Sequence, residues 1–458
     1  MLPDRLTVAP IARIEGTLVL PGSKSLSNRI LLLSALAAGL TEVTHVLASE
    51  DTDVMFGALR ALGVSVSGRP GQGETVRILG KGGPLDAPRP ATGAAEATEP
   101  VEVFLGNAGT AMRPLAAVLA AGCGRFVLRG APRMHERPIG DLVTGLTQLG
   151  GSVTYLEREG YPPLRVDATG LRGGTARISG VTSSQFLSAL LMAAPLARGP
   201  VAIEIVDRLV SEPYVAMTIA LMARFGVRVG APAPLRYEVP APARYVSPGR
   251  ALVEGDASAA SYFLAGAAIT GGKVRVEGCG SDSLQGDARF AQVLEQMGAR
   301  ARVEPAAIEV EGGAPLRGVD VDLTAMPDAA MTLAVAALFA RGATRLRGIG
   351  NWRVKETDRM AAVSAELGKL GARTEVGADS LVVHPPEHIR PASIATYDDH
   401  RMAMAFSLAA CGGEPVVIEN PGCVAKTFPE YFEELERLVV HREVTGQQKS
   451  LRDQVTTP

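Results

Sequence analysis

The stretch PGSKSLSNR, residues 21–29, combines a glycine, a lysine and serines directly before the apolar run ILLLSALAA. Such residues suit an anion site at a helix N-terminus, where backbone N–H groups and the helix dipole favour negative charge. A nucleotide P-loop requires Gly-x-x-x-x-Gly-Lys-Ser/Thr, and here Ser23 separates Gly22 from Lys24, so an ATPase loop is excluded. Taken alone, the stretch is also compatible with an ordinary serine N-cap beside a solvated lysine.

Cationic side chains recur near the predicted starts of other helices. Capping alone favours Ser, Thr, Asp and Asn at these places, because a cation is unfavourable near the positive end of the helix dipole. For any single cation a solvated surface side chain is the simpler explanation, but equivalent places in a repeat favour one shared, highly anionic ligand. The eight cations are Lys24, Arg29, Arg113, Arg137, Lys355, Arg359, Arg401 and Lys426.

These helix starts belong to a repeated pattern of secondary structure. A helical apolar period that ends in glycine and is followed by a short strand occurs five times, at Gly63, Gly150, Gly226, Gly298 and Gly371. A more apolar helix precedes each of them, and a sixth pair of helices, with YFEELERLVV as its second helix, lacks the glycine. The unit is therefore strand–helix–strand–helix–strand and is present six times. Strongly apolar helices must be covered on most of their surface. The pattern predicts an α/β protein with two domains, each with buried helices and sheets outside.

Composition excludes several classes of protein. Hydrophobic residues make up 47% and charged residues 21%, and the net charge of −2 provides no electrostatic footprint for nucleic acid. The apolar runs are too short to span a bilayer and the start lacks a signal sequence, so we expect a cytoplasmic protein. The four cysteines form no C-x-x-C pair, and prolines between His384 and His388 prevent a shared helical face. No metal site is expected.

Eight segments of the chain, in order from about Gly16 to Leu438, form one set of motifs. They are PGSKSLSNR, LGNAGTAMRPL, SSQFLSALLM, EGDASAASYFLA, MPDAAMTLAVAALFA, NWRVKETDRM, YDDHRMAMAFS and AKTFPEYF. Together they resemble the 5-enolpyruvylshikimate-3-phosphate synthase family of enolpyruvyl transferases. The resemblance implies two domains of three inverted units each, closing on substrate like a hinge, without a metal or organic cofactor.

The resemblance also implies a reaction of the shikimate pathway, which leads to the aromatic amino acids. The enolpyruvyl group of phosphoenolpyruvate is transferred to the 5-hydroxyl of shikimate 3-phosphate through a tetrahedral intermediate, in a cleft between the domains. Phosphate is released. We expect a monomer, with a discontinuous first domain of residues 1–22 and 253–440, a second domain of 23–252, and a polar tail of 441–458. Segment 81–100 is rich in Pro, Ala and Gly and resembles an insertion, and 232–250 is a candidate domain boundary.

Site residues follow from the resemblance, position by position. The residues implied for shikimate 3-phosphate are Lys24, Ser25, Arg29, Ser183, Ser184, Gln185, Ser211, Tyr214, Asp328, Asn351 and Lys355. Those implied for phosphoenolpyruvate are Lys24, Asn107, Gly109, Thr110, Arg137, Gln185, Glu356, Arg359, His400, Arg401 and Lys426.

The chemistry needs a base for the 5-hydroxyl and an acid for the methylene carbon. By resemblance the catalytic candidates are Asp328, Glu356 and Lys24, and two carboxylates in unlike surroundings can hold different protonation states. The sequence does not decide which group moves which proton, and we favour Asp328 as base and Glu356 as acid. The structural alternatives are that Asp328 only caps a helix and Glu356 only pairs with an arginine.

Gly109, Thr110 and Pro114 match the form of this turn in glyphosate-sensitive members, so we expect inhibition by glyphosate in competition with phosphoenolpyruvate. One rival is the enolpyruvyl transferase that acts on UDP-N-acetylglucosamine. Pro132 stands where that enzyme has a reactive cysteine, and Lys24 is followed by Ser25 where it has asparagine. Another rival is a noncatalytic sensor of sugar phosphates, which would be expected to lose its acid–base residues.

Overall fold

The computed structural model describes residues 2–88 and 99–442. Contacts divide the chain into two compact units. Unit 1 takes Met1–Pro21 and Glu254–Pro458, and unit 2 takes Gly22–Val253. Residues 89–98 of the expected insertion and 443–458 of the expected tail lie outside the described residues.

The helices and strands follow one another along the two units in chain order. Unit 1 begins with β1 (Arg5–Val8), β2 (Ile11–Ile14) and β3 (Gly16–Val19). Unit 2 contains α1 (Lys24–Leu36), β4 (Ala38–Thr44), α2 (Glu50–Ala61), β5 (Ser65–Gly68), β6 (Thr75–Lys81), β7 (Val101–Phe104), α3 (Gly109–Ala120), β8 (Cys123–Arg129), α4 (Gly140–Gln148), β9 (Val153–Tyr155), β10 (Leu164–Thr169), β11 (Gly174–Ile178), α5 (Ser184–Ala193), β12 (Val201–Ile205), α6 (Glu212–Arg224), β13 (Gly230–Ala233), β14 (Arg236–Val239) and β15 (Arg250–Leu252). Unit 1 is completed by α7 (Ala257–Thr270), β16 (Lys273–Glu277), α8 (Phe290–Met297), β17 (Arg300–Val303), β18 (Ala307–Glu311), β19 (Asp320–Asp322), α9 (Ala330–Ala336), β20 (Thr344–Arg347), α10 (Arg359–Lys369), β21 (Arg373–Val376), β22 (Ser380–His384), β23 (Ala392–Ile394), α11 (His400–Ser407), β24 (Val416–Glu419), α12 (Tyr431–Leu438) and β25 (Val439–His441).

Six sheets within the described residues repeat one pattern, three in each unit. In each sheet two strands pair in parallel, and one of these two strands also pairs antiparallel with a third strand. For example, β12 is parallel to β11 and antiparallel to β14. In unit 2 the orders are β15-β4-β6-β5, β7-β8-β10-β9 and β11-β12-β14-β13. In unit 1 they are β17-β18-β16-β3, β19-β20-β22-β21 and β1-β24-β23, and β2 pairs with β25. The predicted α/β fold with three repeated units per domain is confirmed.

The two helices of each copy differ in burial. The first helices, α1, α3, α5, α7, α9 and α11, are buried along nearly their whole length, and the second helices are buried on one side only. In β16 the side chains of Val274 and Val276 are fully buried while their neighbours are not, so one sheet face packs on helices. The helices therefore form the core of each unit, as their apolar sequences predict.

The local structure agrees with the sequence-based expectations at the glycines and differs at two other places. The five helix-ending glycines have positive φ, between 70° and 115°. Arg137 does not open α4, since it precedes Pro138, which disfavours helical backbone, and it has ψ 122°. Segment 232–250 lies inside unit 2, where it includes β14 and the end of β13.

Candidate active site

Arg359 is the centre of a buried ion-pair cluster in unit 1. It is the first residue of α10, and its side chain is 1% exposed. Its Nε donates to Asp399 Oδ2 at 2.7 Å, and Nη2 lies 3.3 Å from Asp399 Oδ1, so this carboxylate binds with both oxygens. Its Nη1 donates to Asp328 Oδ1 at 2.8 Å, and Nη2 donates to Glu356 Oε2 at 2.9 Å. The two carboxylates expected to move protons thus contact the same guanidinium.

Arg401 completes this cluster from a second helix. It is the second residue of α11, and its Nη2 donates to Asp328 Oδ2 at 3.0 Å. Its Nη1 lies 3.3 Å from the hydroxyl of Tyr262, a fully buried side chain of α7. Asp328 lies two residues before α9, which begins at Ala330, so the starts of α10 and α11 and the segment leading into α9 meet at one carboxylate.

The charges of the cluster shift one another's pKa values. Burial by itself raises the pKa of Asp328, but Arg401, Lys355 and Arg359 outweigh it and hold that pKa well below its usual value. Burial by itself lowers the pKa of Arg359, but the carboxylates of Asp399, Glu356 and Asp328 have the larger, opposite effect. The pKa is therefore raised above its usual value, and the guanidinium stays charged. A carboxylate with so low a pKa is a poor base near neutral pH.

Asn351 and Lys355 lie beside this cluster on a separate segment. Asn351 belongs to the 3₁₀ helix Gly350–Val354 and is buried, and Lys355 directly follows that helix. The charge of Lys355 contributes to the lowered pKa of Asp328. The sequence placed these residues at the start of α10, but they precede it as a distinct turn.

His400 and Lys426 are the remaining expected site residues of unit 1. His400 is fully buried as the first residue of α11, and its Nδ1 lies 3.6 Å from Asp399 Oδ1. Lys426 is the last residue of the 3₁₀ helix Pro421–Lys426 and is also buried. This 3₁₀ helix packs against α11, so Lys426 belongs to the same part of unit 1.

Asp287 is another buried carboxylate near the cluster, on the 3₁₀ helix Gly286–Arg289. The hydroxyl of Ser258 donates a hydrogen bond to its Oδ2. Burial and the charge of Asp328 raise the pKa of Asp287 to about 6, against the opposing effects of Ser258 and Arg401. Asp287 therefore changes its charge state at a higher pH than an ordinary aspartate.

We expect an Asp287→Asn variant to show this titration in the free energy of unfolding. Because the folded pKa of about 6 exceeds the reference value of 3.8, the folded wild type binds more protons than the unfolded chain between these values. Wild-type stability therefore falls relative to the variant as pH rises through this window, by about 1–3 kcal/mol. Urea unfolding of both proteins at about pH 4.5 and about pH 7 measures the change. An equal difference between the two proteins at both pH values would contradict the raised pKa.

In unit 2 the opening motif forms a buried turn and not a solvated cap. Lys24 is the first residue of α1, and its Nζ lies 3.3 Å from Asp51 Oδ2, with side chains 9% and 3% exposed. Ser23 makes no side-chain capping bond. A Cβ on Gly22 would lie 2.0 Å from the carbonyl oxygen of His45, so the turn requires glycine. The alternative of an ordinary serine cap beside a solvated lysine is wrong.

Arg29 connects three helices of unit 2. Its Nε donates to Thr218 Oγ1 on α6 at 2.8 Å, and Nη1 donates to the carbonyl oxygen of Ser25 at 2.9 Å. The Thr218 hydroxyl lies 3.1 Å from Ser188 Oγ on α5. Burial lowers the pKa of Arg29 to about 10, against the opposing effect of Tyr214, so the side chain remains a cation at neutral pH.

The turn before α3 is shaped by Arg137. Its Nη1 donates to the carbonyl oxygen and the side-chain oxygen of Asn107, at 2.9 and 3.0 Å. A Cβ on Gly109 would lie 2.8 Å from Arg137 Nη2, so a larger residue would displace the guanidinium. Thr110 Oγ1 accepts a hydrogen bond from Asn28 Nδ2 at 2.7 Å, which joins this turn to α1.

The starts of α5 and α6 carry the other expected residues of unit 2. Ser183 caps α5, and its hydroxyl accepts a hydrogen bond from the backbone N–H of Gln185 at 3.2 Å. Ser184 is the buried first residue of α5. Ser211 has φ 54°, a left-handed conformation that is unfavourable for serine and common at functional sites. Tyr214 follows in the first turn of α6, and α5 and α6 pack together.

In the described ranges 2–88 and 99–442, no group of three or more His, Cys, Asp or Glu residues could hold a metal ion. No described helix has both the length and the hydropathy to cross a bilayer. The cysteines are unpaired, and burial raises the pKa of Cys279 and Cys411 to about 12, which disfavours the nucleophilic thiolate.

Several partners of the expected residues were missed by sequence reasoning. Asp399 directly precedes His400 and Arg401 in the YDDHR segment, and this position is a signal that it belongs to the site. Asp51 looks like an ordinary acidic residue in the first turn of a helix, and Thr218 like a neutral helix position. Only packing reveals that they hold Lys24 and Arg29.

The chain was compared with known proteins. A sequence model of "EPSP synthase (3-phosphoshikimate 1-carboxyvinyltransferase)" matches residues 8–435. The chloroplastic 3-phosphoshikimate 1-carboxyvinyltransferase of Solanum lycopersicum is 53% identical over 450 residues, covering 96% of this chain and 85% of that protein. The enzyme of that name from Vibrio vulnificus is 52% identical over 444 residues, covering 95% of this chain and 99% of that protein.

A solved structure supports the same grouping. The EPSP synthase of Acinetobacter baumannii superposes with a TM-score of 0.77 at 27% sequence identity, covering 95% of this chain and 98% of that one. The sequence similarity extends over nearly the full length of the chain and favours this family over the UDP-N-acetylglucosamine enzymes. This chain belongs to the EPSP synthase family and is an enzyme of that family.

Proposed function

We propose that this enzyme transfers the enolpyruvyl group of phosphoenolpyruvate to the 5-hydroxyl of shikimate 3-phosphate. The oxygen of that hydroxyl bonds to C2 of phosphoenolpyruvate as its proton leaves, and the methylene carbon gains a proton. Loss of a proton from the resulting methyl group and departure of phosphate then restore the double bond. The observation that carries the proposal is the cluster in which Arg359 and Arg401 hold Asp328 and Glu356.

The cluster suits phosphoenolpyruvate because its arginines are the residue type that binds carboxylates with two parallel hydrogen bonds. Arg359 already donates to Asp399, Asp328 and Glu356, so an incoming carboxylate replaces Asp328 or Glu356 as its partner. The displaced carboxylate loses cationic stabilisation, and its pKa rises towards the range in which it can exchange protons. Substrate binding would thus activate the acid–base residues, with Asp328 as base and Glu356 as acid.

The remaining assignments follow the family motifs. Ser183, Ser184, Ser211 and Lys355 bind the phosphate of shikimate 3-phosphate, and Ser25 and Arg29 bind its carboxylate. Tyr214, Asn351 and Asp328 contact the ring and its hydroxyls. Lys24, Arg137, Gln185 and Lys426 surround the phosphate of phosphoenolpyruvate. Support comes from the placement of the cations, since Arg29 and Arg137 are each held by hydrogen bonds within unit 2.

Phosphate release tests the function directly. Purified protein with shikimate 3-phosphate and phosphoenolpyruvate is expected to release phosphate, and omission of either substrate is expected to abolish it. Release with UDP-N-acetylglucosamine in place of shikimate 3-phosphate would support the other transferase. Calorimetric binding of shikimate 3-phosphate without any turnover would support a sensor.

Glyphosate is expected to inhibit competitively with phosphoenolpyruvate and not with shikimate 3-phosphate. The supporting feature is the turn at Gly109, where a Cβ would lie 2.5 Å from Arg113 Nη1 and 2.8 Å from Arg137 Nη2, so a larger residue would displace these side chains. Steady-state rates at varied phosphoenolpyruvate and several glyphosate concentrations give the pattern. Full activity in millimolar glyphosate would contradict the expectation.

We further propose that the enzyme acts as a monomer in the cytoplasm. The unpaired cysteines support a reducing compartment, although the tomato relative is named chloroplastic. Light scattering coupled to size-exclusion chromatography tests the monomer, and a mass well above 47.7 kDa would refute it. Cell fractionation tests the compartment.

A further inference from the structure

The turn formed by residues 395–399, the 395–399 turn, connects β23 to α11 in unit 1. Tyr397 and Asp398 have φ values of 54° and 56°, so two consecutive side-chain-bearing residues adopt left-handed backbone. Left-handed backbone is unfavourable for such residues, and it persists only where surrounding contacts hold it. The contacts that hold this turn are therefore informative.

Helix α10 forms hydrogen bonds with both ends of the 395–399 turn. Glu366, which is fully buried, accepts hydrogen bonds from the Tyr397 hydroxyl at 2.8 Å and from the backbone N–H of Ala395 at 3.1 Å. At the other end, Asp399 binds Arg359, the first residue of the same helix, with both carboxylate oxygens. The distance between Arg359 and the start of α11 is thus set from two places on α10.

A third segment contacts the same turn. Asn420, itself left-handed with φ 49°, directly precedes the 3₁₀ helix that ends at Lys426. Its Nδ2 donates to Asp398 Oδ1 at 3.3 Å, and the Thr396 hydroxyl donates to the carbonyl oxygen of Glu419 at 2.9 Å. The turn therefore touches each of the three segments that carry Arg359, Arg401 and Lys426.

We propose that Tyr397 and Asn420 are positioning residues that hold Arg359, Arg401 and Lys426 in the arrangement that binds phosphoenolpyruvate. The inference rests on the proposed function, because it assigns these three cations to that substrate. Tyr397 and Asn420 touch no reacting atom in this scheme. They act through Glu366 and Asp398, which fix the strained backbone leading into Asp399.

Tyr397→Phe is the sharpest test, because it removes one hydroxyl and leaves the ring. Loss of one hydrogen bond in the support of three ligand-binding cations is expected to raise the KM for phosphoenolpyruvate about three- to tenfold. The kcat and the KM for shikimate 3-phosphate are expected to stay within about twofold of wild type. Tyr161→Phe is the matched control, since Tyr161 stacks on Arg158 in unit 2, and no kinetic change is expected there.

Asn420→Gly is the second variant, because glycine keeps the left-handed backbone and removes only the side-chain amide. The same selective rise in the KM for phosphoenolpyruvate is expected. If Tyr397→Phe does not fold, the KM values of Asn420→Gly alone test the inference. A lower melting temperature with unchanged KM values would overturn the inference, as would an equal rise for both substrates. A wild type without turnover would instead refute the proposed function, and the inference with it.

Discussion

Replacement of Asp328 by asparagine is expected to lower kcat by about 10²- to 10⁴-fold, the usual contribution of general acid–base catalysis. Asparagine has nearly the same shape and keeps one oxygen that can accept from Arg359 or Arg401, but it cannot take up a proton. The rate of phosphate release at saturating concentrations of both substrates measures the effect. Circular dichroism and the melting temperature show whether the variant is folded.

Asp320→Asn is the control for this substitution. Asp320 lies on β19 with its side chain 59% exposed, and it pairs with Arg347 at 2.6 Å, so it has a cationic partner but no place in the cluster. Its kcat is expected to stay within about twofold of wild type, since exposed ion pairs contribute little. If Asp328→Asn retained at least about a tenth of the wild-type kcat, proton transfer would have to be assigned to Glu356 and Lys24.

Replacement of Arg359 by alanine is expected to damage both stability and binding. The change leaves the carboxylates of Asp399, Glu356 and Asp328 without their common cation, and removing one partner of a buried pair costs about 3–5 kcal/mol. Urea unfolding measures the loss in the free energy of unfolding. Arg359→Lys keeps the charge but not the fork of N–H donors, so we expect it to fold and to raise the KM for phosphoenolpyruvate by about tenfold or more.

Arg347→Ala provides the comparison, because Arg347 pairs with Asp320 and Asp322 on the surface of the same unit. Its loss is expected to change the free energy of unfolding by about 1 kcal/mol or less. If Arg359→Ala cost no more than Arg347→Ala, the central cluster would not be a buried set of charges. An Arg359→Lys variant with the wild-type KM for phosphoenolpyruvate would show that Arg359 does not bind the substrate carboxylate.

The repeated units were predictable because their signals are local. A buried helix must be apolar around most of its surface, and a glycine such as Gly298 ends a helix because left-handed backbone suits it. Both properties are visible in ten to fifteen consecutive residues. The exact helix starts were harder to predict, because the 3₁₀ turns around Asn351 and Lys426 depend on the residues they pack against.

The family, the α/β repeat and the side-chain types near the helix starts could be predicted from the amino-acid sequence, since each depends on short segments in a given order. The pairing of those side chains could not, because it arises only when the chain folds. Asp399 holds Arg359 from 40 residues away, and Thr218 holds Arg29 across 189 residues. Such distances along the chain carry no periodic signal. The charge state of Asp328 was likewise decided in three dimensions, because its pKa depends on which cations folding brings within a few ångströms.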